Sequence, residues 1–260
     1  AADTVALAHF LTMRASGEFA PVPELYAVLH MRPYCDDPAA ADDPFQHYLA
    51  DMLLAKREMF PDFDVIAASG VIDPNYYLIN GSDVHEAHLD PVEHFCRYGW
   101  REWRKPNIYF DMHWYLHTNP VVERMKINPA VHYVLEGEAM GRRPVPYFDP
   151  LWYRETYAIA PEQNALAHYL THRRSQKFSP TPMFNVAWYV DQHPEDVRGN
   201  RDPFAHFLQV GTYRDLDPSP TFNAAEYRKR HIGRPSRKFR HLMHPDRDNP
   251  LVHFLRAGYR

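Results

Sequence analysis

Glycine is scarce in this chain, with 10 residues in 260, and no long Val/Ile run occurs. Both absences argue against a parallel sheet carrying a Gly-rich phosphate loop. There are 2 cysteines, Cys35 and Cys96, too few for a disulfide framework. No apolar run approaches the ~18–20 residues needed to span a bilayer, and no signal peptide is visible. This leaves a cytoplasmic or a secreted location open. The net charge of −4 excludes a general nucleic-acid binder. Core-forming residues are not lacking: 45% hydrophobic and 24% charged is a folded composition, long enough for one large domain or two ordinary ones.

Histidine, tyrosine and proline are abundant, at 17, 17 and 24 residues. Their placement is periodic. His followed by Phe or Tyr and then an apolar residue recurs at His9, His47, His94, His132, His168, His206 and His253, at intervals of 38, 47, 38, 36, 38 and 47 residues. Cys96 occupies the apolar position where most copies have Leu, and so reads as buried packing. Asp43-Pro44, Asp90-Pro91, Asn128-Pro129, Asp202-Pro203 and Asn249-Pro250 precede the histidine, with Asn164-Ala165 a weaker version. Each sets a capping oxygen before a proline that has no amide to leave orphaned. Gly99, Gly137, Gly211 and Gly258 follow the histidine by five residues, the place of a left-handed helix stop. The spacing predicts a helix of about two turns. Val92, Phe95 and Cys96 form its apolar stripe, with His94 on the opposite side.

A second block follows in most copies. Pro144-Val145-Pro146, Pro180-Thr181-Pro182 and Pro218-Ser219-Pro220 read as extended connectors. They lead into Phe110-Asp111, Phe148-Asp149, Phe184-Asn185 and Phe222-Asn223, a cap with an apolar staple before it. Trp114-Tyr115, Trp152-Tyr153 and Trp188-Tyr189 lie in the helix that each cap starts. Tyr115, Tyr153, Tyr189 and Tyr227 each stand 21 residues after a motif histidine. Tyr76-Tyr77 belongs to a longer, irregular second repeat at about 47–89.

Helices this short are unstable alone and need stacking on neighbours. The expected fold is therefore all-α, a solenoid-like array of about seven short helical repeats filling residues 1–260, the first and last incomplete. Asp/Asn-Pro-x-x-His-Tyr-Leu-x-x-x-Gly followed by Arg-x-Pro-x-Pro-x-Phe-Asp-x-x-Trp-Tyr resembles a repeat of bacterial secreted proteins and of accessory arrays beside polysaccharide-biosynthesis glycosyltransferases. The resemblance is best from Asp90 to Tyr227. It implies a helical repeat array with a link to polysaccharide and carries over no catalytic residue.

Candidate sites are few. Equivalent histidines on packed helices ~8–10 Å apart cannot converge on one zinc that needs ligands at ~2.0–2.1 Å. They read instead as buried imidazoles bridging repeats, and no metal or cofactor is expected. His85/His88 and His113/His117 lack the HExxH pattern, and Asp62-Phe63-Asp64 reads as a solvated loop. Trp100, Arg101, Trp103 and Arg104 pair indoles with guanidinium groups, a combination suited to sugars and anions, although Trp100 or Trp103 sealing the gap between two repeats is the favoured reading. Arg228, Lys229, Arg230, Arg234, Arg237, Lys238 and Arg240 form a run without acids inside a basic insertion at about 228–248, a candidate surface for acidic polysaccharide. The expectation is a non-catalytic binding or scaffolding module with a protein or acidic-polysaccharide partner. The alternative is an accessory domain of a glycosyltransferase whose catalytic part lies outside this chain. Open repeats at both ends, and Ala1 in place of Met, point to a longer native chain or to end-to-end self-association.

Overall fold

In a computed structural model of the protein, residues 61–233 and 248–258 are described. His9, His47 and Cys35 lie outside them, as do Arg234, Arg237, Lys238 and Arg240 of the basic run. The chain divides into two compact units, residues 1–61 with 124–127 and residues 62–123 with 128–260. The described residues belong almost wholly to the second. They are helical, and no strand occurs among them.

Capping chemistry starts the helices where the sequence places it. Asp73, Asp111, Asp149, Asn185 and Asn223 accept from the backbone N–H of Tyr76, Trp114, Trp152, Trp188 and Glu226. These bonds open helices Pro74–Asn80, Met112–Thr118, Pro150–Tyr157, Val186–Gln192 and Ala224–His231. Asp90, Asn128, Asn164, Asp202 and Asn249 do the same for the histidine-bearing helices that begin at Pro91, Pro129, Ala165, Pro203 and Pro250. Each such cap stabilises by ~1 kcal/mol. Asp62 and Asp64 lie in the first turn of helix Pro61–Ser69, so the predicted loop is a helix start. Asp62 also accepts from the Asn128 side chain at 3.1 Å.

The motif glycines correct the sequence reading. None of Gly99, Gly137, Gly211 and Gly258 has a positive φ. At three of them the helix widens into a π segment, Phe95–Gly99, Tyr133–Gly137 and Phe207–Gly211. The left-handed stop comes four residues later, at Trp103 (φ 62°), Gly141 (φ 75°) and Asp215 (φ 53°). There the following N–H returns to the carbonyl of the motif glycine: Arg104 to Gly99, Arg142 to Gly137 and Leu216 to Gly211. Glycine is needed at 99 and 137 for room. A Cβ there would stand 2.0 Å from the Tyr77 hydroxyl and 2.1 Å from the Tyr115 hydroxyl. At 211 it would meet the Phe207 ring at 2.9 Å, and at 258 nothing closer than 3.6 Å.

The connectors also differ from extended segments. Each closes a hydrogen-bonded turn, Phe110 N–H to Asn107, Phe148 to Val145, Phe184 to Thr181 and Phe222 to Ser219, which drives the phenylalanine inward. The proline carbonyls join successive copies: Asp73 N–H donates to Pro106, Asp111 to Pro144, Asp149 to Pro180 and Asn185 to Pro218, at 3.0–3.4 Å. One continuous core runs from Ile66 to Val252, with Phe110, Tyr115, Phe148, Tyr153, Phe184 and Tyr189 at its centre. Contacts are not limited to adjacent copies. Arg173 reaches Asp73, 100 residues away, Tyr109 reaches Asp202, 93 away, and the Arg256 guanidinium lies 5.6 Å over the Trp114 ring. In a purely linear stack each repeat would touch its neighbours alone.

Candidate binding surface

The five motif histidines among the described residues are each held by a tyrosine hydroxyl. Tyr77 Oη meets His94 Nδ1 at 2.9 Å, and the same bond joins Tyr115 to His132 (2.7 Å), Tyr153 to His168 (2.9 Å), Tyr189 to His206 (2.9 Å) and Tyr227 to His253 (3.0 Å). In the Nε2–H tautomer the tyrosine hydroxyl donates to Nδ1. Burial disfavours the phenolate and pushes all five tyrosine pKa values up, so these hydroxyls keep their protons. Burial also depresses His94, His168 and His206, and lowers His132 to about 4. Neutral imidazoles result. The tyrosine pairs with the histidine that follows it, so the structural unit runs from a tyrosine helix to the next histidine helix. Cys96 is buried, and burial pushes its thiol up to about 12.

Four of the seven copies carry glycine five residues after the histidine, and the copy at His168 carries Arg173 there. Its side chain is buried and donates to Asp202 Oδ2 at 2.8 Å, to Asp73 and to the Leu170 carbonyl. Tyr109 donates to the same Asp202 oxygen at 2.7 Å. Both aspartates are helix caps, so one guanidinium ties together two helix starts far apart in sequence. A cavity of ≈ 280 Å³ opens beside it, lined in part by Gly70, Asn75, Thr171 and Arg174. With two carboxylates on it, Arg173 has little charge left to offer an occupant.

The tryptophan cluster is partly exposed. Trp100 is half-buried and donates from its indole N–H to the Cys96 carbonyl at 3.1 Å. Arg101 lies over its ring at 4.3 Å. Arg104 is consumed by a two-pronged pair to Asp83 (2.8 and 2.6 Å) and a bond to Glu102 at 2.6 Å. Trp103 is different. It is 44% exposed, stacked on His113 at 4.3 Å between centroids and 3° between planes, and its backbone is left-handed. That conformation costs a non-glycine residue ~1–2 kcal/mol. The equivalent positions hold glycine and aspartate, which tolerate it better.

The basic run divides. Arg228 is buried at 3% and bonded to Asp215, the Asp248 carbonyl and the Thr212 carbonyl, so it belongs to the core and not to a surface. Lys229 and Arg230 are exposed, Arg230 pairing with Glu226. Among the metal candidates, His85 lies on helix Ser82–Glu86 while His88 follows it at φ 52°. His113 and His117 are exposed on helix Met112–Thr118. No group of three or more His, Cys, Asp or Glu side chains fit to hold a metal ion occurs among the described residues, and no helix among them is long and apolar enough to cross a membrane. Comparison with protein-family models, curated proteins and solved structures finds no match to this chain.

Proposed function

We propose that the chain is a non-catalytic binding or scaffolding module, a solenoid-like helical repeat array, that engages acidic polysaccharide or its machinery. One observation carries this reading: the polar groups that recur in every described copy are spent on the fold. The tyrosine hydroxyls hold histidine Nδ1 atoms, the Asp and Asn side chains cap helices, and Arg173 holds two of those caps. A general acid or base needs a polar atom free to reach substrate, and the tyrosine hydroxyls and the capping side chains are already engaged within the fold. The resemblance to repeats of polysaccharide-biosynthesis arrays supports the choice of partner, as does the run of Lys229, Arg230, Arg234, Arg237, Lys238 and Arg240.

The purified chain should bind an acidic polysaccharide such as alginate with an affinity that falls as salt rises, because exposed charges are screened over ~8 Å at physiological ionic strength. Replacing Arg234, Arg237, Lys238 and Arg240 by Ser should weaken that binding markedly and leave the helical circular dichroism unchanged. Arg228 is left intact because it is part of the core. Turnover of a sugar nucleotide or of the glycan by the chain alone would overturn the reading, as would failure to bind any polyanion at low salt.

A further inference from the structure

Trp103 occupies a position built for another kind of residue. The left-handed stop that closes the histidine helix is filled by Gly141 and Asp215 in two other copies. Those residues meet the backbone demand, so the fold does not need an indole there. The copy that follows gives a direct comparison. Gly141 sits against Leu151, with its missing Cβ 2.6 Å from a Leu151 methyl, while Trp103 stacks flat on His113, the residue ten positions on in each case. A plain apolar contact has been replaced by a stack of two aromatic rings, at the cost of backbone strain, and the result faces solvent. Strain held at an exposed side chain marks a residue retained for what it touches outside the fold.

The surroundings of the indole define the ligand. Asp83, Arg101 and Glu102 are exposed, and Arg104 is half-buried. Arg104 is neutralised by Asp83 and Glu102, and Lys105 pairs with Asp111 at 2.8 Å. Among the described residues, Arg101 alone in this stretch has no carboxylate partner; its Nη1 donates to the Arg97 carbonyl. An exposed aromatic face in a stretch this rich in charged side chains is a poor seat for a wholly apolar partner, which would take neighbouring charges out of water. It suits a ring with one apolar face and a polar edge. We infer that Trp103, backed by His113, is a platform for a pyranose ring, and that Arg101 selects rings bearing a carboxylate.

This inference deepens the binding-module reading and names a site separate from the basic run. It is tested with the full chain, an oligomer of uronic acid residues and a neutral oligomer of equal length, read by tryptophan fluorescence and calorimetry. The variants are Trp103→Gly, Trp103→Asn, Arg101→Ser and the 234/237/238/240 Ser variant. The uronate oligomer should bind, and Trp103→Gly and Trp103→Asn should each weaken binding at least tenfold while melting at or above the wild-type temperature. Arg101→Ser should erase the preference for the acidic oligomer. The basic-run variant should keep short-oligomer binding while binding long polyanions more weakly, which separates failure of this site from failure of the general reading. Unchanged affinity in both Trp103 variants would overturn the inference, as would wild-type chain that binds neither oligomer. A melting temperature lowered alike in both Trp103 variants, with affinity lost in proportion, would show that the indole only seals the junction.

Discussion

Gly137 and Tyr115 provide the sharpest test of how the copies are locked together. An alanine at 137 would put Cβ 2.1 Å from the Tyr115 hydroxyl oxygen and 3.3 Å from both Tyr115 Cζ and His132 Nδ1. Comfortable contacts lie near ~3.5 Å, so the overlap exceeds an ångström. The tyrosine has nowhere to go: it is fully buried, with ring neighbours Phe110 at 5.3 Å, His132 at 5.7 Å and Tyr133 at 6.0 Å. Overpacking of this kind costs ~1–3 kcal/mol, and displacing the hydroxyl from His132 adds ~1 kcal/mol. The gain from replacing glycine by alanine in a helix is ~1 kcal/mol. Gly137→Ala should therefore destabilise by ~1–3 kcal/mol, read as a lower urea midpoint by circular dichroism at constant slope. Tyr115→Phe alone leaves a buried imidazole nitrogen without its partner and costs ~1–3 kcal/mol. In the Tyr115→Phe background the clashing atom is gone, and Gly137→Ala should fall between neutral and ~1 kcal/mol stabilising. The two changes should thus couple by ~1–3 kcal/mol. Gly258→Ala is the internal control, since its Cβ meets only the Leu255 carbonyl at 3.6 Å. It should stabilise by up to ~1 kcal/mol. Additive costs within ~0.5 kcal/mol for the pair, or equal effects at 137 and 258, would refute the argument from space and return these glycines to a purely conformational role.

The other expectations are brief. Arg173→Ala strips the partner from the buried Asp202 and from Asp73 and should cost ~3–5 kcal/mol, whereas Arg173→Met with Asp202→Asn should recover part of it; equal losses would sink the idea. Tyr133 carries a buried hydroxyl without a hydrogen-bond partner, so Tyr133→Phe should be neutral or stabilising in a thermal melt. Folded pKa values of His94, His132, His168 and His206 lie below the unfolded ~6.5, so the unfolded chain binds more protons in acid. Stability is full above pH ~6.5 and falls below it; His132, lowered to about 4, alone removes ~2 kcal/mol by pH 5, and equal urea midpoints at pH 7.5 and 5 would contradict this.

What was legible in the sequence is the chemistry that acts over a few residues. Asp111, Asn128 and Asp202 announce helix starts because a cap and its amide are two or three positions apart, and each capped in the structure as read. The recurrence of tyrosine and histidine was visible too, but its phase was not. A periodic string does not mark where its unit begins, and Tyr115 stands both 21 residues after His94 and 17 before His132, its true partner. The glycine at 137 invited a left-handed reading because sequence records the residue and not the atom it makes room for. The actual stops at Trp103, Gly141 and Asp215 share no residue type and so left no signal. Arg228 read as one of seven surface cations. Its position four residues after Ala224 puts both on the buried face of helix Ala224–His231, a helical-phase argument available from the sequence and obscured by the charge run.

A chain of near-copies divides its residues into two kinds. Positions that repeat, the caps, the inward phenylalanines and the tyrosine–histidine pairs, are fixed by the need to join one copy to the next, and their polar atoms face partners inside the fold. Positions that differ are released from that need. Two departures have been put to work within the molecule: Arg173 replaces a glycine and binds copies far apart, and Arg228 reaches back to Thr212 and Asp215. Because the Arg173 bond to Asp73 spans 100 residues, losing one copy disturbs others well removed in sequence, unlike a linear stack whose stability adds term by term. Trp103 is the departure with no such internal return. It strains its own backbone, occupies a site that glycine and aspartate fill elsewhere, and keeps nearly half its surface in solvent. In the binding-module reading proposed above, selectivity resides at positions of this last kind, because the tyrosine hydroxyls and caps of the described copies are already bonded.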